Sequence, residues 1–354
     1  MRKKEAIMKK RILAALMAAA MVVSLGACGS NAPQPAGDEG SNGGTQSVEA
    51  ASNENSDPGE TGKKYKIGIC QLVQHEALDA ATQGFKDALV EELGEENVEF
   101  DEQNAQNDSN TCATIINGFV SANVDLILAN ATPALQAAAA GTDTIPILGT
   151  SVTEYGVALE LDDFNGTVGR NISGTSDLAP LNEQADIVQE LFPDAKTVGL
   201  LYCSAEANSQ YQVDTVKGFL EEKGYTCEYY AFSDSNDLSA VATQAADNSD
   251  VIYAPTDNTC ANNTEIIRNI CVPAKVPVVA GEEGICGGCG VATLSISYYD
   301  IGTATGKMAA KILRGEANIE EMPIEYAPNF VKKYNKELCD ELGITIPDGY
   351  EPIE

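Results

Sequence analysis

Tyr65-Lys66-Ile67-Gly68-Ile69 and Lys196-Thr197-Val198-Gly199-Leu200-Leu201-Tyr202 are the two stretches that decide the fold. Each is a short apolar run of strand type followed by a polar loop. Each loop leads into apolar residues at helical spacing: Ala77, Ala81, Phe85, Ala88 and Leu89 in the first case, Val213, Val216, Phe219 and Leu220 in the second. Working outward, both predicted helices carry Gly-Phe (Gly84-Phe85, Gly218-Phe219) and both stop at a glycine (Gly94, Gly224). A second strand follows at Val98-Glu99-Phe100 and at Cys227–Phe232, a third at Val124–Ala129 and Ser249–Ala254, and a fourth at Ile145–Leu148 and Val276–Val279. The offsets between matched points are 131 (65 to 196), 134 (84 to 218), 125 (124 to 249) and 131 (145 to 276). Strands and helices alternate and the strands are apolar runs, the pattern of parallel sheets covered on both faces. The fold class is therefore α/β, with two similar doubly wound parallel-sheet lobes. Ligands of such sheets sit at the carboxyl ends of the strands, so the cleft between the lobes is the expected site.

The tail is too short for a third core. Asp300–Leu313 is a predicted helix stopped by Gly315, Pro323–Tyr326 a predicted strand and Leu338–Leu342 a short helix. These pieces should pack back onto the lobes. The expected division is 63–176 plus about 298–330 for one lobe, and 177–297 plus the C-terminal segment for the other. A chain that crosses between lobes more than once makes a hinge.

The first 62 residues read as an address and a linker. Six basic residues at 2–11 precede the apolar run Ile12–Val23, too short to span a membrane and right for a signal peptide. Leu25-Gly26-Ala27-Cys28 then resembles a bacterial lipobox, with signal peptide 1–27 and Cys28 as the lipidation site. Residues 28–62 are rich in Gly, Ser, Asn, Pro and acids and read as a disordered tether. The expected location is the extracellular face of the cell membrane. Cleavage before Cys28 would take the formal charge from -31 to -36. Such a polyanion repels nucleic acid. The chain has one His and no Trp, which excludes a multi-His metal site and stacking on indole. No metal and no cofactor are expected.

Several motifs are more specific. Gln74–Ala80, Gln103–Asp108, Ala131–Gln136, Thr150–Thr153, Ile172–Asp177, Ser204–Ser209, Pro255–Thr259 and Asp300–Lys307 together resemble the tryptophan/tyrosine-binding family of ABC transporter substrate-binding lipoproteins, over roughly residues 64–346. The resemblance implies a periplasmic-binding-protein-like fold of type I, two lobes that close on an aromatic amino acid, an ABC permease as partner, a monomer, and no enzymatic activity. Glu154-Tyr155 and the Cys286-Gly287-Gly288-Cys289 run depart from the family pattern, at positions that bear on the ligand. Other readings are a receptor for a sugar or another amino acid, an enzyme using a carboxylate pair, and a surface adhesin or sensory lipoprotein on the same fold.

The candidate ligand residues are Gln71, His75, Asn104, Ala131, Thr132, Ser151, Thr153, Asn208, Asp257, Asn258 and Glu282. Ala131-Thr132-Pro133 opens a helix whose free N–H groups suit a carboxylate, with the Thr132 and Ser151 hydroxyls as further donors. Asp257 can hold an ammonium, and the three asparagines either donate or accept. Tyr155, Tyr202, Tyr298, Tyr299 and Phe164 are the aromatics available for a ligand side chain. The same residue types serve structure: Thr132 as an N-cap, Asn104 and Asp257 in turns, His75 at a helix start, Glu282 at the rim. Nine cysteines remain besides Cys28, an odd number, so at least one is free or pairs between chains. Cys286-Gly287-Gly288-Cys289 reads as a Gly-rich turn with a local disulfide, because two glycines disfavour a helix.

Overall fold

The structure is a computed structural model and describes residues 63–353. The expected signal peptide, tether and lipidation site at Cys28 lie outside the described residues.

The chain alternates strand and helix through most of its length. It begins β1 Tyr65–Gln71, α1 Glu76–Leu93, β2 Val98–Asn104, α2 Ser109–Ala122, β3 Leu126–Asn130, α3 Thr132–Gly141, β4 Ile147–Val152, α4 Tyr155–Ala158 and β5 Ile172–Ser176. It continues α5 Leu181–Leu191, β6 Thr197–Cys203, α6 Ala207–Glu222, β7 Thr226–Phe232, α7 Ser235–Asn248, β8 Val251–Ala254, α8 Asn258–Ala261, α9 Thr264–Ala274, β9 Val278–Ala280, α10 Glu283–Cys289 and β10 Ala292–Ser295. The tail adds α11 Tyr298–Leu313, β11 Glu325–Tyr326, β12 Val331–Tyr334, α12 Lys336–Leu342 and β13 Glu351–Pro352.

These strands form two sheets, in the orders β11-β5-β4-β3-β1-β2 and β13-β12-β10-β9-β8-β6-β7. Without the tail strands, each sheet has the doubly wound order 2-1-3-4-5. All pairings are parallel except β12 on β10. One residue pair makes the repeat physical. Asp125, just before β3, accepts the N–H of Lys66 at 2.8 Å, and Asp250, just before β8, accepts those of Lys196 and Thr197 at 2.7 and 2.9 Å. Each carboxylate ties the start of its third strand to the start of its first. The backbone donors hold Asp250 below the usual carboxylate range.

Sheet membership changes three times, through residues 177–180, 296–297 and 327–330. Helix α11 returns to the first lobe and lies along α1 at backbone contact. A Cβ at Gly302 would stand 2.0 Å from the carbonyl oxygen of Ala81, and one at Gly84 2.1 Å from that of Tyr299. The glycines therefore let two helices approach more closely than any side chain permits. The start of α11, just after the crossing at 296–297, is thereby joined to the second and third turns of α1.

Three sequence expectations change. First, Cys286-Gly287-Gly288-Cys289 is the last turn of helix α10 rather than a Gly-rich turn. Glu282 caps that helix, accepting the N–H groups of Gly284 and Ile285. Gly288 meets α9 where a Cβ would fall 2.3 Å from Thr264 Oγ1, so capping and close packing outweigh the poor propensity. No local disulfide is present: all nine cysteines between 63 and 353 are free and buried. Second, α3 starts where expected, but Thr132 is its first helical residue, not its cap. Ala131 precedes it at φ 91°, and no side chain caps the end. Third, Tyr155 is a core residue of the first lobe, fully buried, with its hydroxyl donating to the carbonyl of Thr175 at 3.0 Å.

Candidate ligand site between the lobes

The loops after β1, β4, β5, β6, β8 and β9 converge on one cavity between the lobes. His75, Ser151, Thr153, Asn208, Asp257, Asn258 and Glu282 line it, joined by Asp177, Thr256 and Tyr298. The space open to the centre of a water molecule is about 10 Å³, room for about one water. Tyr298 and Glu282 also wall a wider groove at the hinge, about 390 Å³ by the same measure, floored by Ala77, Ala80, Ile296, Ala327 and Pro328.

Four predicted residues stand elsewhere. Gln71 is buried inside the first lobe, where Nε2 donates to the Val73 carbonyl and to Asp79 Oδ1, and Oε1 accepts from the Thr82 hydroxyl. Asn104 is exposed at the end of β2, accepting the N–H of Gln106 at 2.7 Å. Ala131 and Thr132 are buried at the start of α3 and do not line the cavity.

The cavity is acidic and short of donors. Asp177 is 5% exposed; its Oδ2 accepts from the Tyr298 hydroxyl at 3.1 Å, while Oδ1 has no partner. Burial lifts its carboxyl to about 6, against the opposing pull of the Thr153 and Tyr298 hydroxyls. Asp257, which also lines the cavity, has both oxygens engaged, Oδ2 by the N–H of Cys203 at 2.7 Å and Oδ1 by that of Cys260 at 2.8 Å. It caps α8, and burial, with Glu206 nearby, pushes its carboxyl up. Glu282 is likewise committed to the start of α10, and burial pushes it up too. Ser151 is held at φ 53° with a buried Oγ that has no partner, and Asn208 has a buried Oδ1 without one. Three unpartnered polar atoms therefore border one small cavity, a pattern that signals a polar ligand.

Two hydrogen bonds cross the cleft. His75 Nε2 and Asn258 Oδ1 are 3.2 Å apart, and Asn107 Nδ2 donates to Thr259 Oγ1 at 2.9 Å. Both end on α8. Burial holds His75 below its ordinary value, against the opposing pull of Asn258, Glu206 and Asp79. Behind α8, buried Glu206 accepts from the backbone and side chain of both Asn258 and Thr259.

A family model for the ABC transporter substrate binding protein matches residues 66–350, nearly all of the described chain. The chain belongs to that family. It is thus the substrate-binding component of an ABC transporter, which binds a small molecule and works with a permease, and not an enzyme. It is 35% identical over 324 residues to a tyrosine-binding protein of Clostridioides difficile (strain R20291), covering 90% of this chain and 88% of that one. A Streptococcus pneumonia ABC domain in complex with L-Trp matches with TM-score 0.78 and 32% identity, over 82% of this chain and 100% of that one. A ligand-free, open substrate-binding protein with adhesive properties from Clostridium difficile matches with TM-score 0.63 and 36% identity, over 82% and 99%. More distant solute-binding proteins, such as one from Bacillus halodurans with bound myo-inositol at 16% identity and TM-score 0.56, share the fold.

Within this substrate-binding family fold, sequence reasoning missed Asp177 and Thr256, which line the cavity, and Glu206, which stands behind α8. Each sits inside a quoted motif at a strand's carboxyl end. The signal was their position; spacing could not reveal which carboxylate keeps a free oxygen. Of the aromatics, Tyr298 lines the cavity and Tyr299 only the outer groove. Tyr202 is buried against Tyr229, and Phe164 packs on the first lobe's core.

Proposed function

We propose that this substrate-binding protein captures an aromatic amino acid, tyrosine or tryptophan, by closing its lobes around the zwitterion and delivers it to an ABC importer. The observation that carries the reading is the trio of unpartnered buried atoms: Ser151 Oγ, Asp177 Oδ1 and Asn208 Oδ1. Two are acceptors suited to an ammonium. The third is a hydroxyl that can donate to a carboxylate. Asp177 takes the role the sequence offered to Asp257, whose oxygens are filled by backbone. The curated relative's name and the tryptophan complex both favour an aromatic side chain, and the apolar hinge groove beside Tyr298 has room for one. The lobe arrangement matches the tryptophan complex better than the open, ligand-free relative, 0.78 against 0.63, in keeping with closure on the ligand. The groups that reach across the cleft, His75 and Asn107, would hold the closed form.

The test is a thermal-shift screen on the chain unfolded and refolded to strip ligand, against amino acids, sugars and nucleosides. A ligand that binds only the native state raises its stability by mass action. Shifts with tyrosine, tryptophan or phenylalanine alone support the reading; shifts with sugars alone remove it. Lipid anchoring through Cys28 is part of the same proposal. Labelled fatty acid should enter the wild-type protein in a bacterial host and be lost in Cys28→Ala; equal labelling would sink the anchor. A second reading, adhesion, is favoured by the relative with adhesive properties. It predicts host-surface binding that persists with the cleft saturated.

A further inference from the structure

We infer that Glu206 sets the hydrogen-bonding polarity of the ligand cavity and so selects for a ligand that carries an ammonium group, without lining the cavity itself. The inference rests on the amino-acid reading above. Glu206 is 4% exposed and acts as an acceptor only. Its Oε2 takes the N–H of Asn258 at 3.0 Å, the Asn258 Nδ2 at 2.7 Å and the Asn208 Nδ2 at 3.3 Å. Its Oε1 takes the N–H and hydroxyl of Thr259 at 2.9 and 2.8 Å.

An asparagine amide is ambiguous until a neighbour fixes which end donates. Here the neighbour is a carboxylate, so both NH2 groups must point at it. The NH2 of Asn208 also meets the carbonyl of Thr256 at 3.0 Å, which agrees. The remaining end of each amide then follows. Asn208 presents its oxygen, unpartnered, on the cavity side. Asn258 presents its oxygen to His75 Nε2, so that nitrogen must carry the proton. With Asp177 Oδ1 also free, the wall offers acceptors, which an ammonium with three N–H groups can satisfy. A hydroxyl donates one, and a ligand lacking both donates none.

Glu206→Gln keeps the shape but adds an NH2 that must face either the Thr259 N–H or the two amides, so the amides lose their fixed sense. The experiment measures the affinity of the full chain for L-tyrosine and for 3-(4-hydroxyphenyl)propionate, which lacks the amine, by calorimetry. The wild type should prefer tyrosine by ~100-fold or more, because leaving buried polar groups unpaired is costly. E206Q should narrow that ratio by ~10-fold and E206D should restore most of it. A merely structural role would weaken both ligands alike and leave the ratio unchanged, which overturns the inference. Absence of any preference in the wild type would instead overturn the amino-acid reading and this inference with it. A second readout needs no variant. The chain has a single histidine, so its imidazole 15N signals are unambiguous. The tyrosine-saturated protein should show the Nε2–H tautomer; the Nδ1–H tautomer would overturn the argument.

Discussion

Asp177, Asp257 and Glu282 are three buried acids just past the ends of β5, β8 and β9, and only one keeps an oxygen for a ligand. Capping a helix and holding an ammonium call for the same residue types, so the sequence could point to Asp257 and Glu282 at the rim but could not divide the labour or single out Asp177. The division depends on which backbone N–H groups the fold brings within reach. Asp177→Asn should weaken tyrosine or tryptophan binding by ~10-fold or more in calorimetry, since a charge-assisted hydrogen bond is worth ~1.5–3 kcal/mol. Asp257→Asn should instead lower the melting temperature, because an amide offers one acceptor oxygen where the carboxylate serves the N–H groups of both Cys203 and Cys260. The reverse pattern would return the ammonium to Asp257. The raised carboxyl of Asp177 gives a pH signature as well. Its pKa of about 6 means that below that pH the free protein is protonated there and must lose the proton to hold an ammonium. Affinity should therefore fall ~10-fold per unit as pH drops from 6 to 4, and level off above 7. A flat profile from 4 to 7 would exclude Asp177 as the partner. For folding without ligand the sign is opposite: the raised carboxyl adds stability below its unfolded value of about 4 and loses it as pH climbs through about 6.

At the scale of elements, the matched strands and helices of the two halves were legible because a short apolar run and a helical apolar pattern are both written locally. The helix α10 was not, because its cause is tertiary: the Glu282 cap and the contact of Gly288 with Thr264. Nor could spacing tell that glycines in α1 and α11 exist for each other. Gly302→Ala should destabilise the protein by ~1–3 kcal/mol or more in urea unfolding, because the methyl group forces the helices apart. Gly218→Ala, inside helix α6 with nothing within 4 Å of a new Cβ, should stabilise by ~0.5–1 kcal/mol. Equal effects at the two positions would refute the backbone contact. Since α11 begins at a hinge crossing and α1 carries His75 just before its start, loosening this seam should also disturb the cleft.

Across the whole molecule, two lobes meet through few direct bonds, and both cross-cleft hydrogen bonds land on α8. His75→Ala and Asn107→Ala should speed ligand release in stopped flow, each by severalfold, while association changes little, because most affinity differences within one interface lie in dissociation. A drop in association with unchanged release would mean the contacts steer entry rather than hold closure. The two-lobed architecture and the position of the cleft were open to sequence, since four matched offsets and the strand-end rule suffice. The crossing bonds were not, because they join residues more than 150 positions apart.

The buried cysteines have a practical consequence. Two of the nine, Cys70 and Cys112, belong to the first lobe and the other seven to the second. A thiol shielded from solvent does not alkylate until its surroundings open. Brief exposure to an alkylating reagent during denaturation, followed by intact-mass spectrometry, would thus count openings lobe by lobe. A mass shift of two adducts before seven, or seven before two, would time the order in which the halves come apart, without any engineered probe.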